Sequence, residues 1–125
     1  MTNIKEFEGK IVEKIEIIKE NQELDEQIIF SFKDGSKYKM YHDQDCCEDV
    51  KIVDIKGDIN KLIGKKIIKA EEKTSKENPP LKEFLDDSFT WVFYDIETLE
   101  DHIQIKWYGE SNGYYSEEVC IEKID

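Results

Sequence analysis

The chain has 125 residues, with 30 acidic side chains, 18 lysines, no arginine and a net charge of −12. This length fits a single domain spanning residues 1–125 and is too short for a TIM barrel or a two-domain enzyme. Nucleic-acid affinity depends mainly on lysine and arginine side chains that neutralise phosphates. The composition therefore disfavours direct binding to nucleic acid and favours a basic protein partner.

The chain also lacks the sequence signals of membrane and secreted proteins. No apolar run reaches the roughly 18 residues that a membrane-spanning helix needs, and the first residues are too polar for a signal peptide. The three cysteines are an odd number and two of them are adjacent, so a disulfide framework is not expected. We therefore expect a cytoplasmic protein with no membrane partner.

Most of the chain has the pattern of β-strands, because β-branched and aromatic residues favour pleated surfaces. Residues 11–18 fit a helix face or a strand, and we favour the strand. The dipeptide Asp34-Gly35 predicts a hairpin, residues 58–64 predict a short helix of about two turns, and residues 73–88 predict a mobile loop. No internal repeat is evident. The further predicted strands are 27–33, 36–42, 50–56, 65–72, 88–97, 102–108 and 114–123.

These elements predict a mainly β fold, at the margin of α+β. We expect one antiparallel sheet of about seven to eight strands with a single short helix, in which consecutive strands pair. The strand over residues 88–97 is expected to be central, because its apolar run is continuous.

A cluster of metal-ligand residue types lies between His42 and Asp49, and Asp45, Cys46 and Cys47 are its other weak candidates. Its spacing fits neither a zinc finger nor a calcium-binding loop. A polar connection with one cysteine in the core explains the segment more simply. We therefore predict neither a metal nor another cofactor, and a metal or thiol site stays an alternative.

Two patterns resemble catalytic motifs only superficially. The segment from Gly109 to Gly113 matches the G-x-S-x-G pattern of hydrolases, but that motif needs a helix after its serine, and a strand-like run follows here. A cysteine nucleophile paired with His42 or His102 is also disfavoured, because acidic surroundings weaken a thiolate. We therefore expect no enzymatic activity.

The last third of the chain is both acidic and aromatic, since residues 83–125 contain 12 acids, 2 lysines and 9 of the 14 aromatic residues. Alternate carboxylates on a strand lie about 6.6 Å apart, so a row of them can imitate a nucleic-acid backbone. Trp91 is a further candidate anchor where exposed. The predicted partner-binding residues are Asp95, Glu97, Glu100, Asp101, Trp107, Tyr108, Glu110, Tyr114, Tyr115, Glu117 and Glu118.

Several segments carry a family resemblance: YHDQDCCEDV, GDINKLIG, AEE, FTWVFY and WYGESNGYYSE, in this order between Tyr38 and Val119. They resemble a widespread family of small uncharacterised proteins encoded by phages and prophages. The resemblance implies no catalytic residues. It implies a mobile-element setting, in which small acidic proteins inhibit host defence, including anti-CRISPR proteins that block a nucleic-acid channel.

The function expected from these features is inhibition of a basic, nucleic-acid-handling protein in the host cytoplasm by an acidic, aromatic surface. Three alternatives stay open: a protein that sequesters a nucleotide signal, a metal or thiol site at residues 42–49, and a minor phage structural component. The oligomeric state is not predicted.

Overall fold

The computed structural model describes residues 3–19, 26–42, 49–75, 88–111 and 117–124, and its described part is mainly β. Two short 3-10 helices span Ile4–Phe7 and Ile59–Leu62. None of the helices in the described residues is long and apolar enough to cross a membrane. The strands are β1 (Val12–Ile18), β2 (Gln27–Phe32), β3 (Lys37–Tyr41), β4 (Asp49–Lys56), β5 (Lys69–Ser75), β6 (Ser88–Glu97), β7 (His102–Ser111) and β8 (Cys120–Lys123).

The predicted fold class is confirmed, with corrections to single elements. Strand β6 has its predicted bounds, and β1 confirms the strand assignment of the first segment. The predicted short helix is one turn of 3-10 helix with Asp58 as its N-cap, so it is shorter than expected. The range predicted as a loop, residues 73–88, overlaps β5, which continues to Ser75, and β6, which begins at Ser88; its other residues, 76–87, lie outside the described part.

The eight strands form two four-stranded antiparallel sheets instead of one. The first sheet has the order β1-β2-β3-β8, and the second has the order β4-β7-β6-β5. Consecutive strands pair within each hairpin, as expected. However, β4 pairs with β7 and not with β3, while β8 pairs with β3 and not with β7. Each sheet therefore receives its fourth strand from the other half of the chain.

The two halves repeat one element order, a 3-10 helix followed by four strands. The N-caps Asn3 and Asp58 each accept a hydrogen bond from the amide two residues further along, at 2.9 and 3.0 Å. Gly9 and Gly64 follow the two helices with φ angles of 87° and 85°. The structure thus contains an internal repeat, which the sequence analysis missed.

The two halves also meet reciprocally. The amide of Gly9 donates to the carbonyl oxygen of Ile67, and the amide of Gly64 donates to that of Val12, both at 2.7 Å. Two further amide–carbonyl bonds join the same two segments, through Lys10 and Lys65. Residues 65–67 are therefore paired with the first half of the chain, which explains why β5 begins at Lys69 and not at the predicted position.

One apolar cluster contains buried side chains from all eight strands and both 3-10 helices. Phe7 lies edge-on to Phe30, Phe32 and Tyr38, with ring centroids 5.0 to 5.1 Å apart. Such aromatic pairs each contribute about 0.5–1.5 kcal/mol beyond their buried area. The first 3-10 helix is thus fixed to the first sheet by its last residue.

Candidate docking face

Aromatic side chains lie on the outward face of the second sheet. Along β6, Val92 and Tyr94 are buried, whereas Phe89, Trp91 and Phe93 are only partly buried. Successive side chains of a strand point to opposite faces, so these three aromatics share the face that is turned away from the core. Together with Tyr108 of β7, which is opposite Trp91 in the register, they form what we call the aromatic band.

The rings of the aromatic band contact one another. Trp91 and Tyr108 have centroids 4.5 Å apart, and Phe89 stacks on Tyr108 with centroids 6.3 Å apart. The Tyr108 hydroxyl donates to Glu110 Oε2 at 3.0 Å. Tyr108 itself is only 6% exposed, so it supports the band from below and offers little surface to a partner.

A lysine lies over the aromatic band. Lys106 is opposite Phe93 in the register, and its Nζ is 4.5 Å from the Trp91 ring centroid and 5.8 Å from that of Phe93. Cations at these distances are attracted to the ring faces. The sequence analysis missed Lys106, although strict alternation along β7 places it on the same face as Tyr108.

Asp95 and Glu97 do not form the predicted row of exposed carboxylates. Asp95 is 9% exposed and its Oδ1 lies 3.0 Å from Nε2 of His102. The same oxygen accepts a hydrogen bond from Gln104 at 3.1 Å, and Lys73 Nζ is 3.9 Å from Oδ2. The carboxylate of Asp95 is therefore occupied by neighbours within the sheet, which corrects its predicted role as an exposed phosphate mimic.

The acids at the β6–β7 turn also have a cationic neighbour. Lys65 Nζ donates to Glu100 Oε2 at 3.0 Å and to Asp101 Oδ2 at 2.7 Å. This contact reduces the negative charge that the turn presents.

Lysines and acids are mixed across the outward face of the second sheet. According to the cross-strand register, Lys51, Lys56, Lys69, Lys73 and Lys106 alternate there with Asp49, Asp54, Glu71, Asp95, Glu97 and Glu110.

Two further predicted residues lie in the interior and are corrected here. Trp107 is fully buried, because it lies on the inward face of β7, and its Nε1 donates to Met40 Sδ at 3.4 Å. Glu117 is 9% exposed and accepts hydrogen bonds from Thr90 Oγ1 at 2.7 Å and Ser111 Oγ at 2.6 Å. Neither side chain is available to a partner in this structure.

The serine of the hydrolase-like pattern belongs to this internal contact. Ser111 is 1% exposed, and its hydroxyl donates to the carboxylate of Glu117. Gly109 makes room for the segment, since a Cβ there would lie 3.0 Å from both Glu117 Cβ and Val50 Cγ2. The glycine and serine therefore serve packing.

Only part of the possible metal cluster can be placed. His42 is 4% exposed and its Nδ1 lies 2.7 Å from the carbonyl oxygen of Glu118. Asp45, Cys46 and Cys47 lie outside the described residues, as do the predicted anchors Tyr114 and Tyr115. Within the described residues, no group of three or more His, Cys, Asp or Glu side chains has a metal-binding arrangement.

An ionisable pair lies on the inner side of β5 and β6. The Tyr94 hydroxyl donates to Glu72 Oε1 at 3.2 Å. Burial raises the pKa of the fully buried Tyr94 well above its usual range, and Glu72 adds to this effect. Loss of solvent also raises the pKa of the Glu72 carboxyl, although the hydrogen bond from Tyr94 opposes the shift.

Comparison with known proteins gives a family without an assigned activity. Residues 5–121 match the model of the family described as Domain of unknown function (DUF7448). No curated protein and no solved structure matches the chain. Since the match spans nearly the whole chain, this protein belongs to the family described as Domain of unknown function (DUF7448).

Proposed function

We propose that this protein is a non-enzymatic binding protein that docks its aromatic band on a basic protein. The observation that carries the proposal is the position of Trp91 and Phe93 on the outward face of the second sheet. The opposite face of the same strand, with Val92 and Tyr94, already supplies the buried core. The outward aromatics are thus additional to what the core uses, and they are of the residue types that dominate binding interfaces.

The aromatic band is preorganised for docking. Tyr108 packs against both Phe89 and Trp91, and Lys106 lies over the Trp91 ring. Side chains that are already held in place lose little conformational entropy when a partner covers them. A binding surface built on strands is also more rigid than one built on loops. Trp91 is therefore the residue that we place at the centre of the interface.

The chemistry of the partner follows from charge. The net charge of −12 attracts basic proteins over long distances and repels nucleic acids. Near the aromatic band, however, lysines alternate with acids, so the described carboxylates do not form a continuous row. Charge in this proposal accelerates association and selects a basic partner, while the aromatic contacts supply most of the affinity.

The biological setting of the proposal rests on the resemblance to phage and prophage proteins. In that setting the partner is a nucleic-acid-handling protein of host defence in the cytoplasm, of which a CRISPR effector is one example. Docking of the aromatic band beside a basic groove would exclude nucleic acid from the groove, and the protein would act as an inhibitor without catalysing a reaction.

Three immobilised forms of the full chain, the wild type and two variants, test this proposal. The wild-type protein and Trp91→Ser are compared for capture of purified basic nucleic-acid-binding effectors, with elution by rising salt. Tyr41→Ser is the matched control, because Tyr41 lies on the first sheet with Lys39 Nζ 4.2 Å from its ring centroid. We expect an effector that binds the wild type and the control in a salt-dependent manner but binds Trp91→Ser at least about tenfold more weakly.

Two results would contradict the proposal. Equal capture by wild type and Trp91→Ser would show that the aromatic band is not the interface. Binding that is unaffected by ionic strength would remove the argument for a basic partner, because attraction between exposed charges is screened by salt.

A further inference from the structure

An exposed leucine stands at the β6–β7 turn, at the end of the hairpin opposite Phe89. Leu99 is 89% exposed. The turn around it is well ordered by hydrogen bonds: the amide of Thr98 donates to the carbonyl of Asp101 at 2.9 Å, and Thr98 Oγ1 accepts from the amides of Asp101 and Glu100 at 3.1 and 3.4 Å. The leucine is thus presented by a defined turn.

Lys65 ties this turn to the segment that precedes β5. Its Nζ donates to Glu100 and to Asp101, the two adjacent residues that follow Leu99 in the turn. Lys10 occupies the equivalent place in the first half of the chain, and it donates to Asp34 of the β2–β3 turn at 2.5 Å. The two hairpin turns are therefore held in the same way by the two halves of the internal repeat.

Comparison of the two turns shows that the fold does not require Leu99. The first hairpin closes through Lys33, Asp34, Gly35 and Ser36, with the amide of Gly35 donating to the carbonyl of Phe32 at 3.0 Å. The first three of these connecting residues are exposed, Ser36 is buried, and none of the four has a large apolar side chain. The equivalent hairpin, with its equivalent lysine, thus forms without a protruding leucine, so the turn itself does not require the side chain of Leu99.

A cleft lies directly beside the leucine. Its volume is about 360 Å³, which is enough to receive a leucine side chain. Ile68, which is 48% exposed, contributes to its apolar wall. The residues that line the cleft are Lys65, Lys66, Ile68, Thr98, Leu99 and Glu100. The same small surface therefore contains a projecting apolar side chain and a cavity of suitable size.

We infer that a second copy of this chain docks here in a two-fold arrangement, with Leu99 of each copy inserted in the cleft of the other. A two-fold interface uses the same patch twice, so that patch has to be complementary to itself. This patch meets the requirement in shape, through Leu99 and the adjacent cleft. It also meets the requirement in charge, because Lys66 is exposed and the Glu100 side chain, although Lys65 contacts its Oε2, is 75% exposed, so the two residues can pair across the two-fold axis.

The dimer is independent of the proposed partner interface. Along β6, Trp91 is about 20 Å and Phe93 about 13 Å from Glu97, at about 3.3 Å per residue. A contact centred on Leu99 consequently leaves Trp91 of both copies uncovered. A dimer would present two such bands, and a partner with two matching sites would be bound with increased avidity.

Sedimentation velocity of the full chain over about 1 µM to 1 mM tests the inference. We expect a concentration-dependent monomer–dimer equilibrium for the wild type, and self-association at least about tenfold weaker for Leu99→Ser. Ile17→Ser is the matched control, because it also removes an exposed apolar side chain, on β1. A wild type that is monomeric throughout, or a Leu99→Ser variant that dimerises like the wild type, would overturn the inference.

Charge exchange on the rim provides a second measurement. Lys66→Glu and Glu100→Lys are each expected to weaken self-association, because each places like charges opposite one another. The double variant restores opposite charges and is expected to recover dimerisation to within about threefold of the wild type. A double variant weaker than both single variants would rule out the two-fold arrangement. Capture experiments with Trp91→Ser report separately on the aromatic band.

Discussion

Gly9 and Gly64 have the same left-handed backbone conformation, and each donates its amide to a carbonyl of the other half of the chain at 2.7 Å. This reciprocal relationship sets the architecture around it. The two 3-10 helices end at equivalent points, the two following strands begin on opposite sheets, and the last strand of each half completes the sheet of the other. Neither sheet can be complete without both halves.

The equivalence of these two glycines predicts equal effects of substitution. A Cβ at either position meets no atom within 4 Å, so Gly9→Ala and Gly64→Ala differ from the wild type only in backbone strain. We expect each to lower the free energy of unfolding by about 1–2 kcal/mol, measured by urea denaturation. Losses that differ by more than about 1 kcal/mol would contradict the structural equivalence.

Gly57 is the informative comparison for this pair. It also has a positive φ, of 91°, but a Cβ there would lie 2.8 Å from Cδ1 of Ile103 and 3.2 Å from the carbonyl oxygen of His102. Gly57→Ala therefore adds a clash with β7 to the backbone strain, and we expect a larger loss than at Gly9 or Gly64. An equal or smaller loss of stability would show that the end of β4 can move away from β7 to accommodate the added Cβ.

Local sequence patterns predicted the strands well but not their arrangement. The continuous apolar run of β6 and the Asp34-Gly35 turn are local signals, and the strand and the hairpin that they predict are confirmed. The exchange of β4 and β8 depends on contacts between residues far apart in the chain, which no short pattern contains. The repeat has one weak signal, since Ile4, Phe7 and Gly9-Lys10 match Ile59, Leu62 and Gly64-Lys65 in spacing.

The candidate site illustrates the same limit. The run FTWVFY is apolar on both faces, so composition alone does not tell which of its aromatics point outward. Trp107 and Tyr108 are adjacent and therefore point to opposite faces, which puts Trp107 in the core. Which acids have lysines beside them depends on cross-strand register, which was not predictable before the pairing was known.

The two tryptophans are expected to separate stability from binding. Trp107→Phe should lower the free energy of unfolding by about 2–4 kcal/mol, because it removes buried volume and the hydrogen bond to Met40. It should leave effector capture intact. Trp91→Ser should show the opposite pattern, with a smaller loss of stability and weak capture. Both variants are measured by urea denaturation and by the capture assay. Loss of capture in both variants would contradict the assignment of Trp107 to the core and of Trp91 to the interface.

The contact between Ser111 and Glu117 is expected to hold the end of β7. Ser111→Ala removes a 2.6 Å hydrogen bond to a carboxylate that is nearly buried, and we expect a loss of about 1.5–3 kcal/mol. Gly109→Ala should cost a similar amount, because its Cβ would overlap with Glu117 and Val50. Thermal unfolding measures both. A neutral Ser111→Ala would indicate that Thr90 alone satisfies the carboxylate.

The turn carboxylate Asp34 is expected to stabilise the fold only above acidic pH. The hydrogen bonds from Lys10 and Ser36 hold the pKa of Asp34 well below its usual value near 3.8. A lowered pKa means that this stabilisation is complete above that usual value and is lost as the pH falls through the folded-state pKa. Asp34→Asn should therefore lower the melting temperature at pH 7, and the difference from wild type should shrink below pH 4.

Lys10→Gln provides the control for this prediction. If the pair between Lys10 and Asp34 is responsible, the effect of Asp34→Asn at pH 7 should be smaller in the Lys10→Gln background. An unchanged effect would assign the stabilisation to the hydrogen bonds from Ser36 instead.

Glu72 is expected to have the opposite pH dependence. Its pKa is raised above the usual value of 4.5 by loss of solvent beside Tyr94, so the folded state holds its proton more tightly than the unfolded state. The stability associated with this proton is present below pH 4.5 and is lost as the pH rises through the folded-state pKa.

Glu72→Gln keeps an oxygen acceptor for Tyr94 and should raise stability at pH 7 by on the order of 0.5 kcal/mol. Glu71→Gln, on the opposite face of β5, is the matched control for the loss of one carboxylate from this strand. Urea denaturation between pH 3 and pH 8 measures both, and a Glu72→Gln variant less stable than wild type at pH 7 would show that the charged form of Glu72 is the favoured one.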